Sequence, residues 1–420
     1  MTESDLHLLE DQAIEADAED ALRRWRSMFY IPRNSSGDEV VYLCGNSLGL
    51  RPRGVKGALE QELRDWERLG VHGHFRAEAP WYSYHENFRD TAAAVVGAQP
   101  GEVVIMNSLT VNLHLMMTSF YHPTPTRRKI LIDRPIFPSD LYAVKSHLAL
   151  HSFDPHEDMI QVGDSDHIDE DEVEALLARE GESIALVLLA GVNYLTGQYL
   201  DIPRLTRAGH AAGCIVGFDL AHAAGNVPMA LHDWGVDFAV WCTYKYLNSG
   251  PGAVGGCFVH DRHAHGARPR MAGWWGNDPE TRFDMPETFV PQAGAAGWQL
   301  SNAPVLSMAA CRVSHDIFGE VGMKALREKS LRLTQTLHDQ LQALPNRPFE
   351  IITPTDPARR GCQLSLRVRA DIDPRALLAR FDDCGIVCDF RRPDILRIAP
   401  VPLYNTFHDV WRFIEAVARI

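Results

Sequence analysis

Apolar positions recur along this chain first at helical spacing and later as short unbroken runs. Between residues 10 and 30 apolar and charged side chains alternate at helical spacing, until Pro32 and the stretch 34–37 break the pattern. A short apolar run, 40–44, leads into the glycine-rich GNSLGLRP. The next segment, 54–69, reads as a long amphipathic helix with Leu59, Leu63 and Trp66 on one face, and 84–97 as another helix. From there strands and helices alternate: a strand at 103–106, a helix at 108–120, a strand at 129–133 and a helix at 141–150. Three more apolar runs of strand length follow, at 184–189, 214–218 and 238–243, each ending in polar residues. Uniformly apolar strands separated by helices predict a mostly parallel sheet covered on both faces, an α/β fold. In such sheets a ligand sits beyond the carboxyl ends of the strands.

After Asn302 the texture changes. A long helical region, 307–344, precedes NRPFEIITP and RGCQLSLRV, then a helix at 374–383, strands around Val387 and Leu396, and a closing helix from Asn405. This predicts a small α+β domain beside the large one. We expect 45–305 to form the large domain, with 1–44 and 306–420 forming the small one.

Composition narrows the class. With 420 residues, 45% hydrophobic and 23% charged, the chain can bury a full α/β core. The net charge of −14 carries no compensating basic block, which argues against a nucleic-acid or anionic-membrane surface. The eight cysteines are scattered, and Cys214, Cys242 and Cys257 sit in apolar runs, as free thiols in a reducing compartment would. Cys384 and Cys388 lack a second pair and are weak evidence for a metal. His260, His263 and His265, in HDRHAHGARPR, read as a solvated loop, so no metal is expected. The acidic N-terminus has no apolar core of a signal peptide, and the longest apolar stretch is too short for a bilayer. A cytoplasmic location is the default expectation.

The chemistry concentrates where strands end. In FDLAHAAG, Asp219 lies just past one apolar run; in WCTYKYLN, Lys245 lies just past the next. Such a lysine is either a strand-end side chain reaching water or an amine whose pKa is lowered by burial. The second reading suits pyridoxal 5'-phosphate (PLP), which needs a lysine and an acid that keeps its ring nitrogen protonated. Leu109 and Thr110 begin a helix whose free N–H groups favour a phosphate, though a plain helix cap is the alternative. Phe137 in FPSD is either a ring-stacking or a core side chain. His222, one helical turn from Asp219, could hydrogen-bond it.

The ordered set GNSLG, LTVNLH, FPSD, GVNYLTGQ, FDLAHAAGN, LHDWGVDFAVW, YKYLN, GWWG, LSNAP and RIAPVPLYN resembles kynureninase from Gly45 to Asn405. That resemblance implies a PLP-dependent, aspartate-aminotransferase-like fold, a homodimer with active sites shared between subunits, and hydrolysis of L-kynurenine to anthranilate and L-alanine. A second substrate, 3-hydroxy-L-kynurenine, and a place in tryptophan catabolism are implied with it. It assigns Lys245 as the Schiff-base lysine, Asp219 as the ring-nitrogen partner and His222 as its support. Leu109 and Thr110 would bind phosphate, Phe137 would stack on the ring, and Pro138, Ser139 and Asp140 would complete that loop. Tyr244 would reach the phosphate and relay a proton, Arg397 would grip the substrate carboxylate, and His74 would lie near the aryl group. Trp274 and Asn302 would come from the other subunit, Asn302 reaching both cofactor and substrate. Ala190 is a departure, since relatives often carry a hydroxyl there. Two rival readings remain: another PLP enzyme of this fold, such as a cysteine desulfurase or aminotransferase, and a non-catalytic binding subunit. A desulfurase needs a mobile cysteine; Cys362 is the one candidate, and it runs straight into an apolar strand.

Overall fold

The structure is a computed structural model that describes residues 2–163, 166–264 and 268–419. Its centre is a seven-stranded sheet formed by β1 (Val103–Ile105), β2 (Lys129–Asp133), β3 (Met159–Val162), β4 (Ile184–Ala190), β5 (Ile215–Asp219), β6 (Phe238–Trp241) and β7 (Gly256–Val259). The spatial order is β1-β7-β6-β5-β4-β2-β3. β3, β2, β4, β5 and β6 pair in parallel, and β7 runs antiparallel to both of its neighbours. Sequence patterning anticipated the mostly parallel sheet; it did not anticipate β3 or the reversed β7.

Alternate side chains of the buried strands enter opposite cores. Leu131, Val187, Val216 and Ala239 pack into one core, while Ile130, Ile132, Leu186 and Val240 pack into the other. Both faces being apolar is what makes these runs uninterrupted in the sequence. A third core joins the helices Met323–Ala343 and Phe407–Ala418 to a four-stranded antiparallel sheet. That sheet orders Asp389–Arg391, Ile395–Ile398, Leu364–Val368 and Phe349–Ile351. Ala13, Val41 and Leu43 from the N-terminal region join the third core, whereas Leu22, Trp25, Phe29, Met308 and Phe318 pack with the large sheet. Gly322, at φ +74° and ψ 147°, splits the long helical region into Val305–Val321 and Met323–Ala343, because its backbone conformation suits glycine alone.

Two expectations need correction. Helix Val55–Leu69 does not bury its apolar stripe: Leu63 is 50% and Trp66 59% exposed, while Glu62 and Asp65 are buried. Glu62 accepts hydrogen bonds from Trp81 Nε1 and Tyr84 Oη, each at 2.8 Å, and Asp65 accepts from the Glu78 N–H at 3.0 Å. The polar face is inside because it is fully hydrogen-bonded there, which periodicity alone does not reveal. His260 and His263 are also not solvated. Both are 9% exposed, with His263 Nε2 2.7 Å from Asp237 Oδ1, while His265 lies outside the described residues.

Candidate active site

Lys245 follows β6 in a loop fixed from several sides. Thr243 Oγ1 donates to the Val254 carbonyl at 2.6 Å, and the N–H groups of Asn248 and Ser249 return to the carbonyls of Lys245 and Thr243. The GNSLG loop packs directly beneath: the Gly49 N–H donates to the Tyr244 carbonyl at 2.8 Å, and a Cβ on Gly49 would lie 2.3 Å from the Lys245 carbonyl oxygen. Only glycine permits that approach.

One pocket gathers most of the anticipated residues. Leu109, Thr110, Phe137, Ser139, Asp140, Asp219, His222, Tyr244 and Lys245 line it together. Asp133, Ile136, Ala190, Val192, Tyr194 and Ala221 line it as well. Asp133 was missed, although it ends a buried strand just as Asp219 does. Pro138 opens the helix Pro138–Leu150 between Phe137 and Ser139 and does not line the cavity.

The amine of Lys245 lies 3.0 Å from His222 Nε2 and 5.8 Å from the centre of the Phe137 ring. Burial and the Lys245 charge hold His222 well below the usual imidazole range, so its ring is neutral. Asp219 Oδ1 accepts the Ala221 N–H at 2.7 Å. His222 therefore contacts the lysine and not, as expected, Asp219. The residues after Asp219 form turns and not a helix, which aims the ring elsewhere.

Two more carboxyl groups crowd Asp219. Burial, and then the Asp219 charge, push Asp140 well above the ordinary carboxyl range. Burial likewise raises Asp133 to about 7, against hydrogen bonds from the Ala190 N–H and the Asn193 amide that lower it. Asp140 Oδ1 and His222 Nδ1 are buried without hydrogen-bond partners among the described residues. Helix Leu109–Phe120 starts with Ser108 providing no side-chain cap, and its first two residues, Leu109 and Thr110, line the cavity. Thr110 Oγ1 and Ser139 Oγ sit 2.8 Å apart beside it.

Arg397 stands behind the pocket, 1% exposed. Its Nη1 donates to the Tyr194 carbonyl at 2.7 Å, its Nη2 pairs with Asp389, and its Nε is unpartnered among the described residues. His74, Asn302 and Trp274 do not line the Lys245 pocket. His74 and Asn302 share a separate hollow with Glu62, Trp66 and Trp81, and Trp274 donates its Nε1–H to the Arg282 carbonyl at 3.0 Å. Gly73 lets that hollow form, since a Cβ there would lie 2.4 Å from the Trp81 ring.

An amine, a ring-acid position, a phenyl face and an open helix start in one cavity match the four parts of a phosphorylated pyridine aldehyde. Comparison with known proteins agrees. A kynureninase of Koribacter versatilis is 54% identical over 411 residues, covering 97% of this chain and 96% of that one. Another, of Myxococcus xanthus, is 53% identical over 419 residues, covering 98% of each. The chain belongs to the kynureninase family. A model described as the kynureninase C-terminal domain matches residues 326–417, a stretch that includes Arg397. Among solved structures, an Escherichia coli cysteine desulfurase superposes with a TM-score of 0.75 at 18% identity over 95% of this chain and 98% of that one. The cystine C–S lyase C-DES, one structure of which carries glycine covalently linked to its PLP cofactor, superposes at 0.74 with 15% identity over 90% and 96%. These two show the fold that kynureninases share with other PLP enzymes.

Proposed function

We propose that this kynureninase-family chain hydrolyses the Cβ–Cγ bond of L-kynurenine, giving anthranilate and L-alanine, and accepts 3-hydroxy-L-kynurenine as a second substrate. The observation that carries this is the single pocket uniting Lys245, Asp219, Asp140, Phe137 and the start of helix Leu109–Phe120. Bound there, PLP supplies an aldehyde that condenses with amines and a protonated ring that withdraws electrons from the substrate α-carbon.

The chain's own residues do the rest. Lys245 Nζ holds the cofactor at rest, then takes the proton from the α-carbon. Neutral His222, 3.0 Å away, offers that amine a hydrogen-bond acceptor without competing positive charge. Asp219 keeps the ring nitrogen protonated, and a cation beside it also relieves the repulsion that now raises Asp140. The N–H groups of Leu109 and Thr110, with the Thr110 and Ser139 hydroxyls, hold the phosphate. Tyr244 reaches the same phosphate and relays a proton; burial and Cys242 raise its phenol, so it enters as a donor. Arg397 takes the substrate α-carboxylate, a fork-shaped task for its unpartnered Nε and its Nη groups. In the overall balance, water gives its OH to Cγ, which leaves as the anthranilate carboxyl, and a proton to Cβ, which becomes the alanine methyl.

The reading includes a homodimer in which Trp274, Asn302 and His74 of one subunit complete the pocket of the other. It is supported by the surface on which they sit: Leu63, Trp66, Val71, Phe75 and Phe283 are each at least half exposed, a patch too apolar for water alone. A desulfurase is disfavoured by Cys362, which is 1% exposed and whose thiol burial pushes up to about 12. Offering the purified protein L-kynurenine and L-cysteine separately tests the reading: anthranilate fluorescence without sulfide supports it, and sulfide without anthranilate refutes it.

A further inference from the structure

A second cluster of metal-ligand side chains lies at the opposite end of the large sheet from Lys245. Glu102 directly precedes β1, His232 belongs to the turn of helix Leu231–Trp234, and His260 and Asp261 follow β7. One ligand atom from each lies within 4.8 Å of all the others. Glu102 and His260 are buried, His232 is half-buried and Asp261 is open to solvent, so the cluster has a protein floor and an entrance.

Hydrogen bonds already hold the cluster together: the Asp261 N–H donates to Glu102 Oε1 at 2.8 Å, and His232 Nδ1 lies 2.9 Å from the same oxygen. His260 Nε2 lies 3.2 Å from the His232 carbonyl, which only accepts, so Nε2 carries the proton. Nδ1 holds the ring's lone pair, which faces the Arg262 N–H at 3.2 Å. That lone pair stands 2.7 Å from Asp261 Oδ1 and 3.6 Å from Glu102 Oε1. Two carboxylate oxygens around a lone pair repel it unless a cation lies between them. A second ring proton or a metal ion would do this, and either would displace the long hydrogen bond from the Arg262 N–H. The Arg262 guanidinium itself is turned away, to Asp237 at 2.5 Å.

Geometry and chemistry both suit a metal ion. His232 Nδ1 lies 2.9 Å from Glu102 Oε1, and its ring stacks on His260 with centroids 5.0 Å apart. Ligand atoms of a tetrahedral zinc, with bonds of about 2.0–2.1 Å, stand about 3.4 Å from one another. The separations of 2.7, 2.9 and 3.6 Å bracket that spacing. Outer partners that orient ligating imidazoles are in place as well: the His232 carbonyl for His260, and the Gln99 side chain, 3.0 Å from His232 Nε2. Two neutral imidazoles and two carboxylates balance a divalent charge, and the mixed nitrogen–oxygen set favours zinc over magnesium or calcium.

We propose that Glu102, His232, His260 and Asp261 form a structural zinc site that ties the edge strand β1 to the end of β7 and to the Leu231–Trp234 turn. Its position makes it a staple for the sheet and not part of the chemistry at Lys245.

The test uses holoenzyme freed of metal by a chelator and titrated with Zn²⁺ by calorimetry. The expected result is one Zn²⁺ per chain and a higher unfolding temperature, with an unchanged rate of kynurenine cleavage. His232→Gln and Asp261→Asn both replace partly exposed side chains and should each weaken binding at least about tenfold. Co²⁺ substituted at the site should show the visible bands of a tetrahedral ion, lost in both variants. No stoichiometric binding, or equal binding in wild type and both variants, would overturn the proposal and leave a hydrogen-bonded network. Loss of activity on zinc removal would overturn the structural role.

Discussion

Asp133, Asp140 and Asp219 share one small cavity with a single lysine, and burial raises the carboxyl groups of Asp133 and Asp140. Asp133 can be tested directly, because burial, ahead of the Asp219 charge, raises it to about 7. The ordinary value is about 3.9, so between roughly pH 4 and 7 the folded cofactor-free protein holds a proton that the unfolded chain has lost. Its stability must therefore fall as pH rises through that window, by up to about 1.4 kcal/mol per unit, and level off above it. Unfolding temperatures of cofactor-free protein measured across this range should show that slope, and Asp133→Asn should reduce it, leaving the share that raised Asp140 contributes. An identical slope in the variant would assign it to other groups. At this scale the sequence was informative where a polar residue ends an apolar strand, which found Asp219 and Lys245. The same signal was available for Asp133 and went unused. His222 lines the same pocket but was paired wrongly, because the turn after Asp219 rotates its ring toward the lysine.

Elements rather than single side chains build the phosphate seat. Helix Leu109–Phe120 begins where β7 passes underneath, and Gly255 allows the contact: a Cβ there would lie 2.8 Å from the Trp241 carbonyl and 3.1 Å from the Leu109 nitrogen. Gly255→Ala should displace the helix start and weaken retention of the cofactor about tenfold, a loss of about 1.4 kcal/mol. Dialysis against cofactor-free buffer, followed by the visible spectrum, measures it; unchanged retention would show that the helix start does not hold the phosphate. Gly322 offers a contrast, since nothing lies within 4 Å of an added Cβ and only backbone strain opposes substitution. Gly322→Ala should lower stability by about 1–3 kcal/mol in denaturant unfolding, with activity per folded molecule intact. Boundaries of the strands buried on both faces were largely legible, whereas the break at Gly322 and the end of the first helix at Ala18 were not. The orientation of helix Val55–Leu69 was not, since its buried face is built from Glu62 and Asp65 whose partners, Trp81, Tyr84 and Glu78, lie beyond it in the sequence.

Across the whole molecule the two ends of the large sheet carry different tasks, with Lys245 at the carboxyl ends of the parallel strands and the histidine–carboxylate cluster at the other end. That cluster was invisible in HDRHAHGARPR alone, because Glu102 and His232 reach it from distant parts of the chain. The apolar surface around Leu63 and Trp66 belongs to this scale too. If it seats a second copy, Trp66→Glu should convert a dimer to a monomer in sedimentation velocity and reduce activity with it, whereas a variant that remains dimeric would move the interface elsewhere. In the proposed reaction Lys245 is the amine through which this pocket works. The most direct test compares wild type and Lys245→Ala, each purified with PLP, by visible absorbance and by anthranilate fluorescence after addition of L-kynurenine. The expected result is a coloured wild type that releases anthranilate and a variant that loses the lysine-linked absorbance and at least about a thousandfold in rate, some 4 kcal/mol of barrier. A variant that still cleaves kynurenine at the wild-type rate would contradict it.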